Sequence, residues 1–91
     1  MSDLVTDNRE AGRFELAVDG GIVFAIYRRD GATVVIRHVE APPHLRGTGA
    51  AGRLMDGIVA RARAEHLKLR PLCSYAAAWL RRHPETRDLL A

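Results

Sequence analysis

The chain of 91 residues is 47% hydrophobic and 27% charged, a composition that is typical of one globular domain. It holds no apolar run of about 18 residues that would span a membrane, and its N-terminal residues lack the apolar segment of a signal peptide. Its one cysteine, Cys73, excludes an internal disulfide and fits a reducing compartment. We therefore expect a cytoplasmic protein with no membrane partner.

The net charge of +3 rests on arginine, which supplies 13 of the 14 basic residues. Arginine favours bidentate contact with phosphate or carboxylate, but a GC-rich coding sequence produces the same excess. The arginines are dispersed and largely balanced by acids, and the chain has no basic run and no aromatic platform on which bases stack. We therefore expect no nucleic-acid partner.

Polar residues dominate positions 1–12, which we expect to form a flexible leader ahead of one domain over 13–91. Apolar alternation and glycine-containing turns, one of them at 19–21, predict the strands, and helical spacing of apolar residues predicts the helices. The predicted strands cover 14–18, 22–27, 33–39 and 67–72, and the predicted helices cover 49–65 and 75–82. Ser74 is expected to cap the second helix, and Pro84 to end it.

The order of these elements predicts a mixed α+β (α/β) fold. Its first three strands form an antiparallel meander, and 33–39, 49–65 and 67–72 form one right-handed βαβ unit with two parallel strands. Ligands of such units bind beyond the carboxyl ends of the strands. His38, Glu40, Cys73, Ser74 and the glycine-rich stretch 46–52 all fall there, so we expect the functional site at that edge.

The stretch Arg46-Gly47-Thr48-Gly49-Ala50-Ala51-Gly52 stands between a predicted strand and a predicted helix. Small residues let a ligand approach the backbone, and the start of the helix presents amide donors and the positive end of its dipole. This pattern predicts a phosphate-binding loop. The alternative is a capping loop with a surface arginine.

Within this stretch, Arg46, Gly49 and Ala51 form the pattern R-x-x-G-x-A, which resembles the acetyl-CoA motif of the GNAT acetyltransferase superfamily. Residues 37–47, 70–73 and 77–85 are also similar to the small, single-domain GNAT-like proteins of the YjdJ type. The resemblance covers roughly residues 14–90. It implies a shortened GNAT fold with two main helices and with acetyl-CoA in the cleft where two parallel strands separate.

The resemblance also implies which residues bind acetyl-CoA. The backbone around Val39 and Ala41 would pair with the pantetheine arm, while Cys73 and Ser74 would lie near the thioester. The pyrophosphate would be held by the loop residues, namely Arg46, Gly47, Thr48, Gly49, Ala50 and Ala51.

Three side chains are candidates for catalysis. Cys73 follows a strand and precedes a helix, a position that stabilises a thiolate, so it is a transient acetyl acceptor, a wall of the acyl pocket or a small buried hydrophobe. Glu40 is a general base for an acceptor amine or an exposed strand-end carboxylate. His38, on the same strand face, is the competing base or a packed strand histidine. No cluster has metal-ligand spacing, so we expect no metal.

The chain departs from larger GNAT enzymes in two ways. It lacks the C-terminal strands and the N-terminal helices that usually wall the acceptor site. Larger members also often place a tyrosine on the last helix, where it protonates the leaving CoA thiolate. This chain has Trp79-Leu80 at that place, and Tyr75 does not have the helical register of that tyrosine.

Three functions remain open from the sequence. The first is an acetyl-CoA-dependent N-acyltransferase that acts on an unknown small-molecule or protein amine. The second is a non-catalytic acetyl-CoA-binding module in which Cys73 serves as a transient acyl carrier. The third is a structural interaction domain without a ligand. An exposed sheet edge would allow a monomer or a weak homodimer.

Overall fold

The computed structural model describes residues 4–18 and 20–91, so the start of the expected leader and Asp19 of the expected turn lie outside it. The described chain forms one five-stranded sheet with helices, which confirms the mixed α+β fold. The strands are β1 (Thr6–Asn8), β2 (Arg13–Val18), β3 (Gly21–Asp30), β4 (Thr33–Glu40) and β5 (Lys68–Pro71). The helices are α1 (Ala50–Glu65) and α2 (Ser74–Arg81), with 3-10 segments at Pro43–Leu45 and Pro84–Leu89.

The strands follow one another across the sheet in chain order. β1 to β4 pair antiparallel, and β4 pairs parallel with β5, which α1 connects to it. The predicted meander and the parallel pair are therefore confirmed. β3 is longer than predicted at its carboxyl end, because its last residues pair with the start of β4.

Both helices lie on one face of the sheet. α1 packs against β2 and β3, α2 packs against β4 and β5, and the helices contact each other. Within β3 the residues beneath them, Val23 and Ala25, are fully buried, whereas Phe24 and Ile26 on the other face are half-buried. No helix of the described chain covers that other face. We call it the open face; its side chains include Arg13, Glu15, Ile22, Phe24, Ile26, Arg28, Val35, His38, Glu40 and Arg70.

The structure differs from the expected leader, because part of residues 1–12 belongs to the fold. Thr6–Asn8 form β1 against β2, and Val5 is only 5% exposed within the core. The guanidinium of Arg61 on α1 donates to the carbonyl of Val5 at 3.1 Å. Gly57 makes this contact possible, since a Cβ atom built there would lie 2.7 Å from the Cβ of Val5. A three-residue strand held by such tertiary contacts leaves little pattern in the sequence.

The C-terminal residues cover part of the outer edge of β5. Leu90 forms a parallel bridge with Leu69, and the amide of Ala91 donates to the carbonyl of Leu69 at 2.9 Å. An ion pair of 2.8 Å between Arg63 and Asp88 links this segment to α1. The segment therefore shields a strand edge that would otherwise be free to pair with another chain.

The two glycines of α1 give a direct test of the packing of Val5. We expect Gly57→Ala to lower the free energy of unfolding by about 1–3 kcal/mol, because the new methyl group overlaps Val5. Gly52→Ala is the matched control. Its Cβ meets Trp79 Nε1 at an ordinary 3.5 Å, and alanine favours a helix by about 1 kcal/mol, so this variant should be at least as stable as the parent.

Urea denaturation of both variants measures the difference. Equal stability of Gly57→Ala and Gly52→Ala would contradict the packing of Val5 on α1 and would return residues 1–12 to the role of a leader.

Candidate functional site

Strands β4 and β5 separate near the middle of β4. Their pairing ends where Ile36 lies opposite Pro71, which has no amide hydrogen and cannot extend the ladder. The amides of Leu72 and Cys73 both donate to the carbonyl of Ile36, at 2.9 and 3.2 Å, and the chain then enters α2. Residues 37–40 of β4 therefore have an unpaired backbone edge on the β5 side.

A β-bulge lies at the point where the strands separate. Ile36 pairs with Tyr27, and His38 pairs with Ile26, so Arg37 is an extra residue in β4 without an opposite partner. Such a bulge shifts the alternation of side chains along its strand by one position. The residues after the bulge therefore face the opposite way from what the simple period would give.

After the bulge, the predicted site residues of β4 lie on the two opposite faces of the sheet. Val39 and Ala41 pack against the core on the helix side, as Ile36 does before the bulge. His38 and Glu40 lie together on the open face, with Nε2 and Oε1 3.0 Å apart and side chains 53% and 52% exposed. The two candidate bases are therefore neighbours, but they do not face the glycine loop.

The segment between β4 and α1 is held by its own hydrogen bonds. Leu45, at the end of the 3-10 segment, is 3% exposed and anchors the loop in the core. The hydroxyl of Thr48 donates to the carbonyl of Leu45 at 2.6 Å and accepts from the amide of Ala50 at 3.3 Å. The role of Thr48 in this structure is thus to fix the loop and the start of the helix.

Two glycines shape the end of this loop. Gly47 and Gly49 have φ angles of +79° and +87°, which disfavour any residue with a Cβ atom, and the space beside both is open. The amide of Arg53 makes the first helical bond, to the carbonyl of Gly49 at 3.1 Å. The amides of Ala51 and Gly52 therefore stand at the open end of α1, where an anion is stabilised.

These elements surround a cavity of about 390 Å³, a size that suits part of a small-molecule ligand. The predicted cofactor-binding residues that line it are Val39, Ala41, Arg46, Gly47, Gly49, Ala50 and Ala51. Leu45, Gly52 and Tyr75 also line it and were not among the predicted site residues.

Arg46 spans the entrance of this cavity. Its Nε donates to the carbonyl of Ala41 at 3.2 Å, which ties the loop to the chain just after β4. The side chain is otherwise exposed. Its remaining donors are therefore positioned to meet an anion near the glycine loop.

Cys73 and Ser74 lie beside this cavity but do not line it. Cys73 is the N-cap of α2 in an extended conformation, is partly exposed and packs against the core. Ser74 is the first residue of the helix, and no side chain caps that helix, so the predicted capping role of Ser74 is wrong. Cys73 has the extended conformation of an N-cap instead, because its amide and the amide of Leu72 both donate to the carbonyl of Ile36.

Tyr75 lies in the first turn of α2 and reaches the cavity, contrary to the expectation from its register. A Cβ atom built on Gly52 would lie 4.0 Å from the hydroxyl of Tyr75 and 3.5 Å from Nε1 of Trp79. These distances place the Tyr75 hydroxyl and the Trp79 ring next to the first turn of α1. Burial raises the pKa of Tyr75 above its usual value of 10.0, so its hydroxyl stays protonated and available as a donor at neutral pH.

Within residues 4–18 and 20–91, no three His, Cys, Asp or Glu side chains are grouped so as to hold a metal ion. No helix in the same residues has the length and apolar character needed to cross a membrane.

Comparison with known proteins agrees with this geometry. A family model described as GCN5-related N-acetyl-transferase matches residues 13–89. A search among curated proteins finds no match. The matched stretch contains β2 to β5, both helices and the loop between β4 and α1. Because the match spans most of the chain, the protein belongs to the family of GCN5-related N-acetyltransferases.

Proposed function

We propose that the protein is an acetyl-CoA-dependent N-acyltransferase that takes acetyl-CoA from the helix side of the sheet and an acceptor amine from the open face. One observation carries the proposal. The unpaired edge of β4, the glycine loop and the open end of α1 meet in a single cavity. Membership of the acetyltransferase family makes acyl transfer the expected chemistry, and bound acetyl-CoA would supply the activated acetyl group.

The residues present fit the charged end of this cosubstrate. The amides of Ala51 and Gly52 and the positive end of the α1 dipole are suited to a pyrophosphate. Gly47 and Gly49 leave open space where phosphate oxygens need to approach the backbone. Arg46 at the entrance would add a guanidinium contact.

The free backbone edge of β4 suits the pantetheine arm of acetyl-CoA. The arm contains amides, and residues 37–40 of β4 present an edge of backbone donors and acceptors with which an extended arm can pair as an added strand. Val39 and Ala41 would give this arm an apolar wall on the helix side. We infer that the thioester lies toward the point of separation, near Ile36 and Cys73.

Tyr75 is the proposed general acid. Its hydroxyl is protonated at neutral pH, as that of any tyrosine is, and its position on the cavity wall suits a proton donor for the leaving thiolate. We propose two roles for Cys73, acyl acceptor or wall of the acyl end, because the residue is partly exposed beside the point where the strands separate.

Glu40 is the proposed base, with His38 as its hydrogen-bonded partner 3.0 Å away. Both lie on the open face, so they would act on an amine that arrives from that side. An amine is protonated near neutral pH and must lose a proton before it attacks a thioester. A carboxylate paired with an imidazole can accept that proton directly or through a water molecule.

The loop assignment predicts a specific loss of affinity. We expect Gly49→Val to weaken acetyl-CoA binding at least about tenfold, measured by calorimetry, because the side chain would project where the ligand approaches. The φ of +87° also costs about 1–2 kcal/mol of stability with any β-branched residue.

Gly31→Val is the matched control, because Gly31 has a φ of +60° and open space in the turn between β3 and β4, at the far end of the sheet. It should lose similar stability and keep its affinity. Equal affinities of the two variants would refute the phosphate-loop assignment.

The acid and the base are predicted to affect turnover rather than binding. Tyr75→Phe and Glu40→Gln should each lower CoA release about a hundredfold with an accepted amine, while acetyl-CoA affinity stays nearly unchanged. Polyamines, amino acids and lysine peptides provide the acceptor screen. Tyr27→Phe is the control, because Tyr27 lies in β3 and its hydroxyl bonds to Asp7, away from the cavity.

If His38 is the base, His38→Ala lowers turnover and Glu40→Gln does not. If no acceptor supports CoA release above hydrolysis, and no variant changes that background, the enzyme assignment fails. Retained acetyl-CoA binding would then identify a non-catalytic acetyl-CoA-binding module.

A further inference from the structure

The open face carries a row of side chains with uncompensated positive charge. Arg28, Val35 and Arg70 are register partners on β3, β4 and β5. The two arginines are therefore two strand spacings apart, about 10 Å at the backbone. Arg37, the bulged residue of β4, is exposed next to this row.

The burial of Val35 shows how these arginines lie. Val35 is 2% exposed although no helix of the described chain covers the open face. Its cross-strand neighbours are Arg28 and Arg70, whose long aliphatic stems can cover it while their guanidinium groups remain in water. The two arginines therefore flank one buried apolar residue on the same face of the sheet.

Two acids of the open face are already engaged elsewhere, and the third, Asp30, is exposed two residues after Arg28 and forms no ion pair with it, so the face keeps a net positive charge. Glu15 pairs with Arg13 at 2.5 Å, and Glu40 pairs with His38 at 3.0 Å. Within residues 4–18 and 20–91, Arg28 has no ion pair or side-chain hydrogen bond, and the same holds for Arg70. The row thus presents two cations that an external carboxylate can pair with bidentately.

Apolar surface adjoins this row. Ile26, two residues before Arg28 on the same face of β3, is half-buried, and Leu72, two residues after Arg70, is 64% exposed. Cations beside apolar patches suit a protein segment that has both acidic and apolar side chains. A nucleic acid fits less well, because its phosphates need a continuous row of cations, whereas here apolar side chains lie beside the arginines.

We propose that the open face docks an acidic, partly apolar segment of a partner protein, and that this segment carries the acceptor amine. The second clause rests on the proposed function. His38 lies one row further along β4 than Val35, about 7 Å away. A segment whose carboxylates pair with Arg28 and Arg70 would therefore bring an amine one or two residues away to the His38–Glu40 pair.

The proposed reaction transfers the acetyl group from acetyl-CoA to this amine. The protonated amine gives one proton to the His38–Glu40 pair, which releases it to water. The neutral nitrogen then forms a bond to the acetyl carbonyl carbon and gives its second proton to the pair, while the carbon–sulfur bond of acetyl-CoA breaks. The thiolate leaves with the bonding electrons and takes a proton from Tyr75, which water then reprotonates. The products are an acetylated amine on the acidic segment and free CoA.

The test uses a fluorescein-labelled peptide with a central lysine flanked by glutamates and leucines, and the same peptide with glutamine in place of glutamate. Fluorescence anisotropy should show that the acidic peptide binds the parent protein and the glutamine peptide binds weakly. The double variant Arg28→Glu/Arg70→Glu should weaken acidic-peptide binding about tenfold or more, and added salt should weaken binding to the parent.

Two further double variants complete the design. Arg28→Met/Arg70→Met removes the charges but keeps stems that cover Val35, so it should fold like the parent and still lose peptide affinity. Arg81→Glu/Arg87→Glu makes the same change of net charge at two exposed positions outside the sheet. This variant should bind the acidic peptide nearly as tightly as the parent does, and more tightly than Arg28→Glu/Arg70→Glu.

Equal losses in the two charge-reversed pairs would overturn the docking site, since net charge alone would explain them. Tighter binding of duplex DNA than of the acidic peptide, or a dimer that only the open-face variants abolish, would overturn it in favour of those occupants. Equal acetylation of the lysine in both peptides would overturn the acceptor clause. Failure to bind acetyl-CoA would overturn the proposed function and the acceptor clause that rests on it, but not the docking site, because peptide docking is measured without acetyl-CoA.

Discussion

The arrangement of the candidate site depends on the carbonyl of Ile36, which accepts hydrogen bonds from both Leu72 and Cys73. Pro71 cannot continue the ladder, so these two bonds end the pairing of β4 with β5 and turn the chain into α2. The unpaired edge of β4 and the position of Tyr75 on the cavity wall both follow from that turn. The glycine loop at the end of β4 then supplies the open end of α1 to the same cavity.

The bulge at Arg37 determines which residues of β4 face the helices and which face outward. Without it, His38 and Glu40 would point toward the helices, and Val39 would point to the open face. With it, the apolar residues line the cavity and the polar pair faces outward. In our proposal, acetyl-CoA and the acceptor therefore reach the reaction from opposite faces of one sheet. This is possible because no helix of the described residues covers the open face.

The sequence predicted the features that local chemistry dictates. Glycines at 47 and 49 carry positive φ angles, and the meander, the parallel pair and the start of α1 follow from short-range patterns. Features that depend on tertiary contacts were missed. β1 is held by Val5 against Gly57, and the place of Tyr75 depends on where α2 begins, one residue earlier than predicted. The spacing of Tyr75 and Trp79, four residues apart beside Gly52, was a signal that a helical projection could have used.

The central claim is that acetyl-CoA binds between the free edge of β4 and the start of α1. Titration of the isotope-labelled protein with acetyl-CoA, followed by amide nuclear magnetic resonance, tests it most directly. We expect the largest shifts at the amides of residues 37–41 and 46–52, with Glu15 and Arg28 on the open face little changed. Saturating acetyl-CoA without shifts at those positions, or with its largest shifts on β2 and the first half of β3, would contradict the claim.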